Sequence, residues 1–167
     1  MNYLYTDGAC KGNPGPGGFG VVAFENNTIY LQYKEQCEQT TNNREELKAI
    51  LHAFQIAEGA PNETFIVYSD SAYCVNMLND WIWTWARNGW KNSKKKEVEN
   101  IDLVKQLYNY ISKDFFNCQV VKVSGHDGNI GNELADALAT FNKNKYFKLI
   151  EKHSISHWLL KDTENLW

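Results

Sequence analysis

The 167-residue sequence predicts an α/β domain in which helices pack on one mixed β-sheet. Two patterns lead there. Three β-prone runs come in succession near the start, and helix-period and strand-period segments then alternate. A β-meander followed by αβ alternation gives a sheet with both antiparallel and parallel pairs. Composition is the third observation: 43% apolar and 14% aromatic residues suffice for a full core and exclude a disordered chain.

The elements follow in order. Residues 3–6 are β-prone and give out at Asp7-Gly8, and a Gly/Pro-rich stretch, 11–18, turns the chain. Residues 19–24 and 28–33 read as strands joined at Asn26-Asn27, a hairpin signal. Residues 34–40 either continue the second strand or pair with it. Asn42 is placed to cap the first helix, with Glu45 three residues on as in a capping box. Leu47, Ile50, Leu51 and Phe54 then recur at helical spacing until Gly59 and Pro61. Residues 64–69 form a buried strand ending at Asp70. After it come an aromatic-rich helix (72–85), a basic loop (86–99), a helix (101–112), a strand (118–123), a loop (125–131) and a helix (133–141). The last stretch, 145–167, mixes apolar residues with charge, and packing back on the domain is favoured over docking a partner.

Several classes are excluded or disfavoured. No run approaches the roughly 18 apolar residues of a membrane span. The first residues lack the basic, apolar and small-residue segments of a signal peptide, so a mature cytoplasmic chain is expected. Cys10, Cys37, Cys74 and Cys118 are scattered singly, without zinc-ligand spacing, and read as reduced and mostly buried thiols. Gly15, Gly17 and Gly20 satisfy G-x-G-x-x-G, but they lead into the strand Val21-Val22-Ala23-Phe24 rather than a helix, which rejects a dinucleotide site. His153 and His157 stand four apart with no third ligand in view, too little for a metal site.

The net charge of −3 hides a segregation. Residues 1–80 carry 4 basic and 10 acidic side chains; residues 81–99 carry 5 (Arg87, Lys91, Lys94, Lys95, Lys96) against 2. An acidic body beside a basic segment suits a carboxylate metal centre next to a polyanion-binding flap. Within the body, Asp7 and Asp70 stand where apolar strands give out, where ligands bind in sheets with helical crossovers, although turn-forming or capping roles read equally well. Glu46 aligns with Ile50, Ala53 and Ala57 on the apolar side of its helix, where an unpaired carboxylate costs several kcal/mol. Glu45 falls on the polar stripe and is expected at the surface. Asp136 lies at helical spacing with Asn132, Thr140 and Lys143, as on a solvated face. His126, between glycines in 125–128, suits proton transfer near neutral pH. Four tryptophans lead into the basic segment: Trp81 and Trp85 share a helix face and are expected in the core, Trp83 and Trp90 at the surface, and aromatics among basic residues suit nucleic acid.

Taken together, Thr6-Asp7-Gly8-Ala9-Cys10, the run Gly12 through Gly18, Thr40-Thr41-Asn42-Asn43-Arg44-Glu45-Glu46-Leu47, Ser69-Asp70-Ser71, Trp85 with Gly89-Trp90-Lys91, Asn100-Ile101-Asp102-Leu103, and Gly125-His126 with Asp136 occur in order. The chain resembles the bacterial form of type 1 ribonuclease H over residues 3–140. The resemblance implies a ribonuclease H-like fold with a five-stranded mixed sheet, a domain over 1–142, and an extension over 143–167 packed on the same domain. It implies an endonuclease that hydrolyses the RNA strand of RNA·DNA hybrids with two Mg²⁺ ions, Mn²⁺ as an alternative, leaving 5′-phosphate and 3′-hydroxyl ends. It assigns the metal-binding carboxylates to Asp7, Glu46, Asp70 and Asp136 and the catalytic loop histidine to His126, which either relays a proton or helps release product. Minor-groove contacts fall on Asn13, Asn42 and Asn43, a DNA-strand phosphate contact near Thr41, and the basic protrusion on Arg87, Trp90, Lys91, Lys94, Lys95 and Lys96. A monomer with a hybrid substrate and no membrane is expected.

There are departures too. Ala72 stands where bacterial relatives commonly have Gln, Ala86 and Asn88 where they often carry Lys or Arg, and Glu97 and Glu99 dilute the protrusion. Weaker hybrid binding than in such relatives is expected. Two other readings fit less well: a DNA integrase or junction resolvase is disfavoured by the Asn42-Asn43 pair and the protrusion, and a non-catalytic hybrid-binding module by the presence of all four carboxylates.

Overall fold

The computed structural model describes residues 1–123, 129–157 and 167. Strands β1 (Asn2–Cys10), β2 (Gly15–Glu25) and β3 (Thr28–Thr40) form an antiparallel meander. β4 (Phe65–Ser69) and β5 (Cys118–Lys122) join it in parallel, giving the order β5-β4-β1-β2-β3. This is the five-stranded mixed sheet expected. Two residues of the C-terminal segment, β6 (Ser156–His157), add a short sixth strand parallel to β3.

Apolar residues on both phases of β2 explain why helices cover both faces. Val21 and Ala23 point one way, with Leu4, Val67 and Val120, into a core closed by α1 (Asn42–Glu58) and α4 (Ile101–Ile111). Val22 and Phe24 point the other way, against Leu134, Ala135 and Leu138 of α5 (Ile130–Ala139) and Tyr146 of α6 (Lys143–Lys152). Tyr146 is fully buried and its hydroxyl donates to Gln32 of β3. Lys34 lies 3.7 Å from the Phe141 ring centroid and 4.8 Å from that of Trp167. Between β4 and α4, α2 (Ala72–Asn76), a π-helical turn (Met77–Trp81) and α3 (Ile82–Arg87) form one continuous helical segment. No helix among the described residues is long and apolar enough to cross a membrane.

β3 is one 13-residue strand, so of the two readings of 34–40 the first holds and the segment continues the second strand of the hairpin. Three local readings are corrected. β1 runs on to Cys10, which places Asp7 inside the strand rather than at its end. The cap of α1 is Thr41, not Asn42: Thr41 is extended and its hydroxyl accepts from the Arg44 N–H at 3.2 Å, while the Asn42 N–H donates to the Asn13 side chain at 2.9 Å. Trp81 is exposed: it closes the π-helical turn with its ring against those of Tyr73, at 5.5 Å, and Trp85, at 6.2 Å, while the next residue, Ile82, takes the buried position.

Candidate active site

Asp7 is the geometric centre of the carboxylate cluster, and two glycines bring helices to it from opposite faces. A Cβ on Gly8 would lie 2.3–2.4 Å from the Glu45–Glu46 peptide of α1, so only glycine lets the helix N-terminus abut β1 there. Gly20, paired with Asp7 across the β1–β2 ladder, would with a Cβ meet Leu138 at 2.4 Å and the Ala135 carbonyl at 2.7 Å, which lets α5 lie against the sheet. Glu46 and Asp136 reach the same strand position from these two helices.

Asp70 arrives from β4. Tyr5 and Tyr68 are partners in the parallel β1–β4 ladder and their rings stack at 4.8 Å. Two residues further on, Asp7 and Asp70 leave the same face of the sheet. The Thr6 hydroxyl donates to the Tyr68 carbonyl at 2.8 Å and ties the strands together one step before the site. Ser71 caps α2 through the Cys74 N–H, which sets the turn that carries Asp70.

One oxygen each from Asp7, Glu46 and Asp70 lies within 4.8 Å of the others. Asp136 stands within hydrogen-bonding reach of Asp7, and its Oδ2 accepts from Lys145 of α6 at 2.7 Å. Burial pushes the Asp7 carboxyl far above the ordinary carboxylate range, with the charges of Glu46, Asp70 and Asp136 adding to it. Glu46 is raised as well, first by burial and then by the charge of Asp70, against hydrogen bonds from Asp7 and the Gly8 N–H. Glu46 Oε2 is buried without a hydrogen-bond partner among the described residues. An all-carboxylate oxygen set with an unsatisfied buried oxygen fits a hard divalent cation such as Mg²⁺, which takes oxygen ligands and would neutralise the crowded charge.

Glu45 is not at the surface. It is fully buried, its Oε2 accepting from the Thr40 hydroxyl at 2.8 Å and from Lys48 at 2.9 Å. The polar stripe turns inward there because Lys48 and the end of β3 supply partners for the charge. Lys145, which no pattern in the sequence singled out, reaches Asp136 because the chain turns back after α5 and Asn142 caps α6.

The residues that the resemblance assigns to hybrid contact lie on two rims. Asn13, Asn42 and Asn43 are exposed at the N-terminus of α1 and Thr41 is half-buried there. Arg44 donates to both carboxylate oxygens of Asp102, at 3.0 and 2.9 Å, and to Asn100, joining that rim to the segment after the protrusion. The Arg44 hydrogen bonds hold the Asp102 carboxyl below its usual range. In the protrusion Arg87, Lys91, Lys94, Lys95 and Lys96 are exposed, and Trp90 is half-buried edge-on against Tyr108. The Asn92 side chain accepts from the backbone N–H of Lys94 and Lys96 and organises the turn between Lys91 and Glu97. His126 lies outside the described residues, and so does the side chain of His157.

A carboxylate cluster gathered around the central strand of this sheet, flanked by an amide rim and a basic rim, defines a nuclease. The RNase H family model matches residues 2–143. The ribonuclease H of Syntrophomonas wolfei is 46% identical over 141 residues, covering 81% of this chain and 91% of that protein. The ribonuclease H of Legionella pneumophila strain Lens is 46% identical over 136 residues, covering 81% and 92%. The crystal structure of LC9-RNase H1, a type 1 RNase H with the type 2 active-site motif, superposes with a TM-score of 0.71 at 25% identity, covering 94% of this chain and 86% of that one. The chain belongs to the ribonuclease H family, enzymes that cut the RNA strand of RNA·DNA hybrids.

Proposed function

We propose that this chain cuts the RNA strand endonucleolytically, as a monomer, with two divalent cations held by Asp7, Glu46, Asp70 and Asp136, leaving 5′-phosphate and 3′-hydroxyl ends. Mg²⁺ is the expected ion and Mn²⁺ an alternative. The convergence of Asp7, Glu46 and Asp70, with one buried Glu46 oxygen left without a hydrogen-bond partner among the described residues, carries this reading. When bound, the ions supply an activated water and charge stabilisation at the scissile phosphate.

The chain's own residues do the rest. The four carboxylates stand in a fixed frame, Asp7 and Glu46 buried and Asp70 and Asp136 half-buried, so little reorganisation is needed when the substrate arrives. Asn13, Asn42 and Asn43 offer amide donors and acceptors to 2′-hydroxyls across a wide minor groove, which distinguishes RNA from DNA at the cut strand. Thr41, at the N-terminus of a 17-residue helix, presents a favourable end for a DNA-strand phosphate. Arg87, Trp90, Lys91, Lys94, Lys95 and Lys96 add affinity without sequence preference.

Cleavage of end-labelled hybrid, duplex RNA, duplex DNA and single strands, with and without Mg²⁺, tests the reading. Only the RNA of the hybrid is expected to be cut, only with metal, and with products that a ligase joins through their 5′-phosphates. Retained turnover in Asp70→Asn would refute the metal assignment, and equal cutting of duplex DNA would refute the substrate.

A further inference from the structure

The protrusion is not the only basic region. In its ten residues α6 carries Lys143, Lys145, Lys148 and Lys152 against a single acid, Glu151, a net charge of +3. Residues 81–99 reach the same +3 over nearly twice the length. On α6 the spacing of Lys145, Lys148 and Lys152 aligns them along one stripe. Together with Asn142 and Asn144 they line a concavity of about 330 Å³. A second concavity, of about 500 Å³, shares Asn142 and Asn144 and adds Lys11 and Lys143. A third shares Lys11 and extends to Ala9 and Cys10 at the end of β1.

Successive concavities share lining residues and so adjoin as one grooved surface, with no Asp or Glu among the described residues that line it. Lys145, which lines the first of them, bonds to Asp136, so this groove adjoins the carboxylate centre. Its position matters as much as its charge. Trp85, Trp90 and Val98 of the protrusion pack on the core closed by α1 and α4, whereas α6 packs on the core of the opposite sheet face. The centre therefore lies between two cationic regions.

We propose that α6 and this groove form a second contact for the phosphate backbone of the RNA·DNA hybrid, on the opposite side of the cut site from the protrusion. The inference rests on the hybrid-cutting function. The occupant is a continuous polyanion, because lysines and amides recur along adjoining concavities rather than converging on one point. Base edges need not be read, and the contribution is independent of sequence.

The test is hybrid binding by fluorescence anisotropy in a full-length Asp70→Asn background, where substrate is bound without being cut, across a salt series. Lys148 and Lys152 are exposed. Their joint replacement by Gln is expected to weaken binding about 3- to 10-fold at ~0.1 M salt and to lower the slope of log affinity against log salt by about 1 to 2. In the otherwise unaltered enzyme the loss is expected to fall on KM. The Arg pair at the same positions keeps charge and is expected to keep affinity, which separates charge from folding. Unchanged affinity and slope in the Gln pair overturn the proposal. So does normal hybrid binding accompanied by lost binding to phosphatidylserine vesicles, which would make α6 a membrane-surface element. If the starting protein binds no hybrid at all, the functional reading fails, a result distinct from either.

Discussion

Asp7 and Glu46 are both buried and both raised in pKa, while Lys94, Lys95 and Lys96 stand exposed on a turn arranged by a single asparagine. The carboxylates come from elements far apart in the chain and are fixed by packing: Gly8 against α1, Gly20 against α5, the Tyr5–Tyr68 stack between β1 and β4. The lysines owe their placement to local backbone hydrogen bonds. On the proposed function, chemistry at the centre would depend on the whole core holding like charges together, whereas affinity at the protrusion would be distributed over side chains that act nearly independently.

The sharpest break of this contrast is Asp70→Asn. It removes one charge from a set whose members cannot substitute for each other, so kcat is expected to fall on the order of 10³-fold, about 4 kcal/mol of transition-state stabilisation. Its hybrid affinity is expected to remain, measured by anisotropy. A variant with KM raised and kcat preserved would place Asp70 among the binding groups and erase the distinction.

The second effect is on stability without metal. Asp7 and Glu46 have folded-state pKa values above their unfolded ones, so between those values the native chain holds more protons than the unfolded chain. Stability of the metal-free protein is then expected to fall as pH rises, and Tm in EDTA to drop by several degrees from about pH 5 to pH 8, each kcal/mol moving Tm by about 2–4 °C at this size. Asp102, lowered by Arg44, works in the opposite sense but loses its contribution only as pH falls through the acid range, below this window. Mg²⁺ at pH 8 is expected to raise Tm and flatten the slope, read by calorimetry. A metal-free Tm that climbs with pH would contradict the crowding of the centre.

These regions also differ in how far they could be read in advance. The mixed sheet was legible because period-2 and period-3.6 segments alternate over long stretches. Glu46 was legible because it breaks the polar phase of its helix. Glu45, one residue earlier, misleads the same reasoning: Thr40 and Lys48 bond one of its oxygens inside, and such partners leave no trace in a helical pattern. Asp136 looked solvated for a related reason. What brings α5 against β1 and β2 is the absence of a side chain at Gly20, more than a hundred residues away in the chain, and spacing along α5 is silent about it. Family resemblance supplied that residue; periodicity did not. Lys145 escaped both, since its contact depends on how the chain turns between α5 and α6.

At the protrusion the expected losses are smaller and fall on binding. Replacing Lys94, Lys95 and Lys96 together by Ala is expected to raise KM about 10-fold at ~0.1 M salt and to reduce the salt slope by about 2 to 3, with kcat kept. A loss that stays constant from low to high salt would show that these lysines act through structure rather than charge.

Asn92→Ala gives the smallest effect and separates placement from charge. The substitution leaves every lysine in place but removes the acceptor for the Lys94 and Lys96 N–H groups. The Asn92 N–H to Lys96 carbonyl and Lys95 N–H to Asn92 carbonyl bonds survive, because they are backbone pairs. The turn therefore loosens without opening, and Val98, buried against the core and bonded to the Trp90 carbonyl, holds its base. Two exposed side-chain acceptor contacts contribute about 1 kcal/mol or less to the ordering of such a loop. A KM increase of about 2- to 4-fold is expected, with the salt slope unchanged because the same number of cations meets the phosphates. An unaltered KM would mean that the lysines find the backbone from any loop conformation, and that charge alone, rather than its arrangement, sets affinity at this rim.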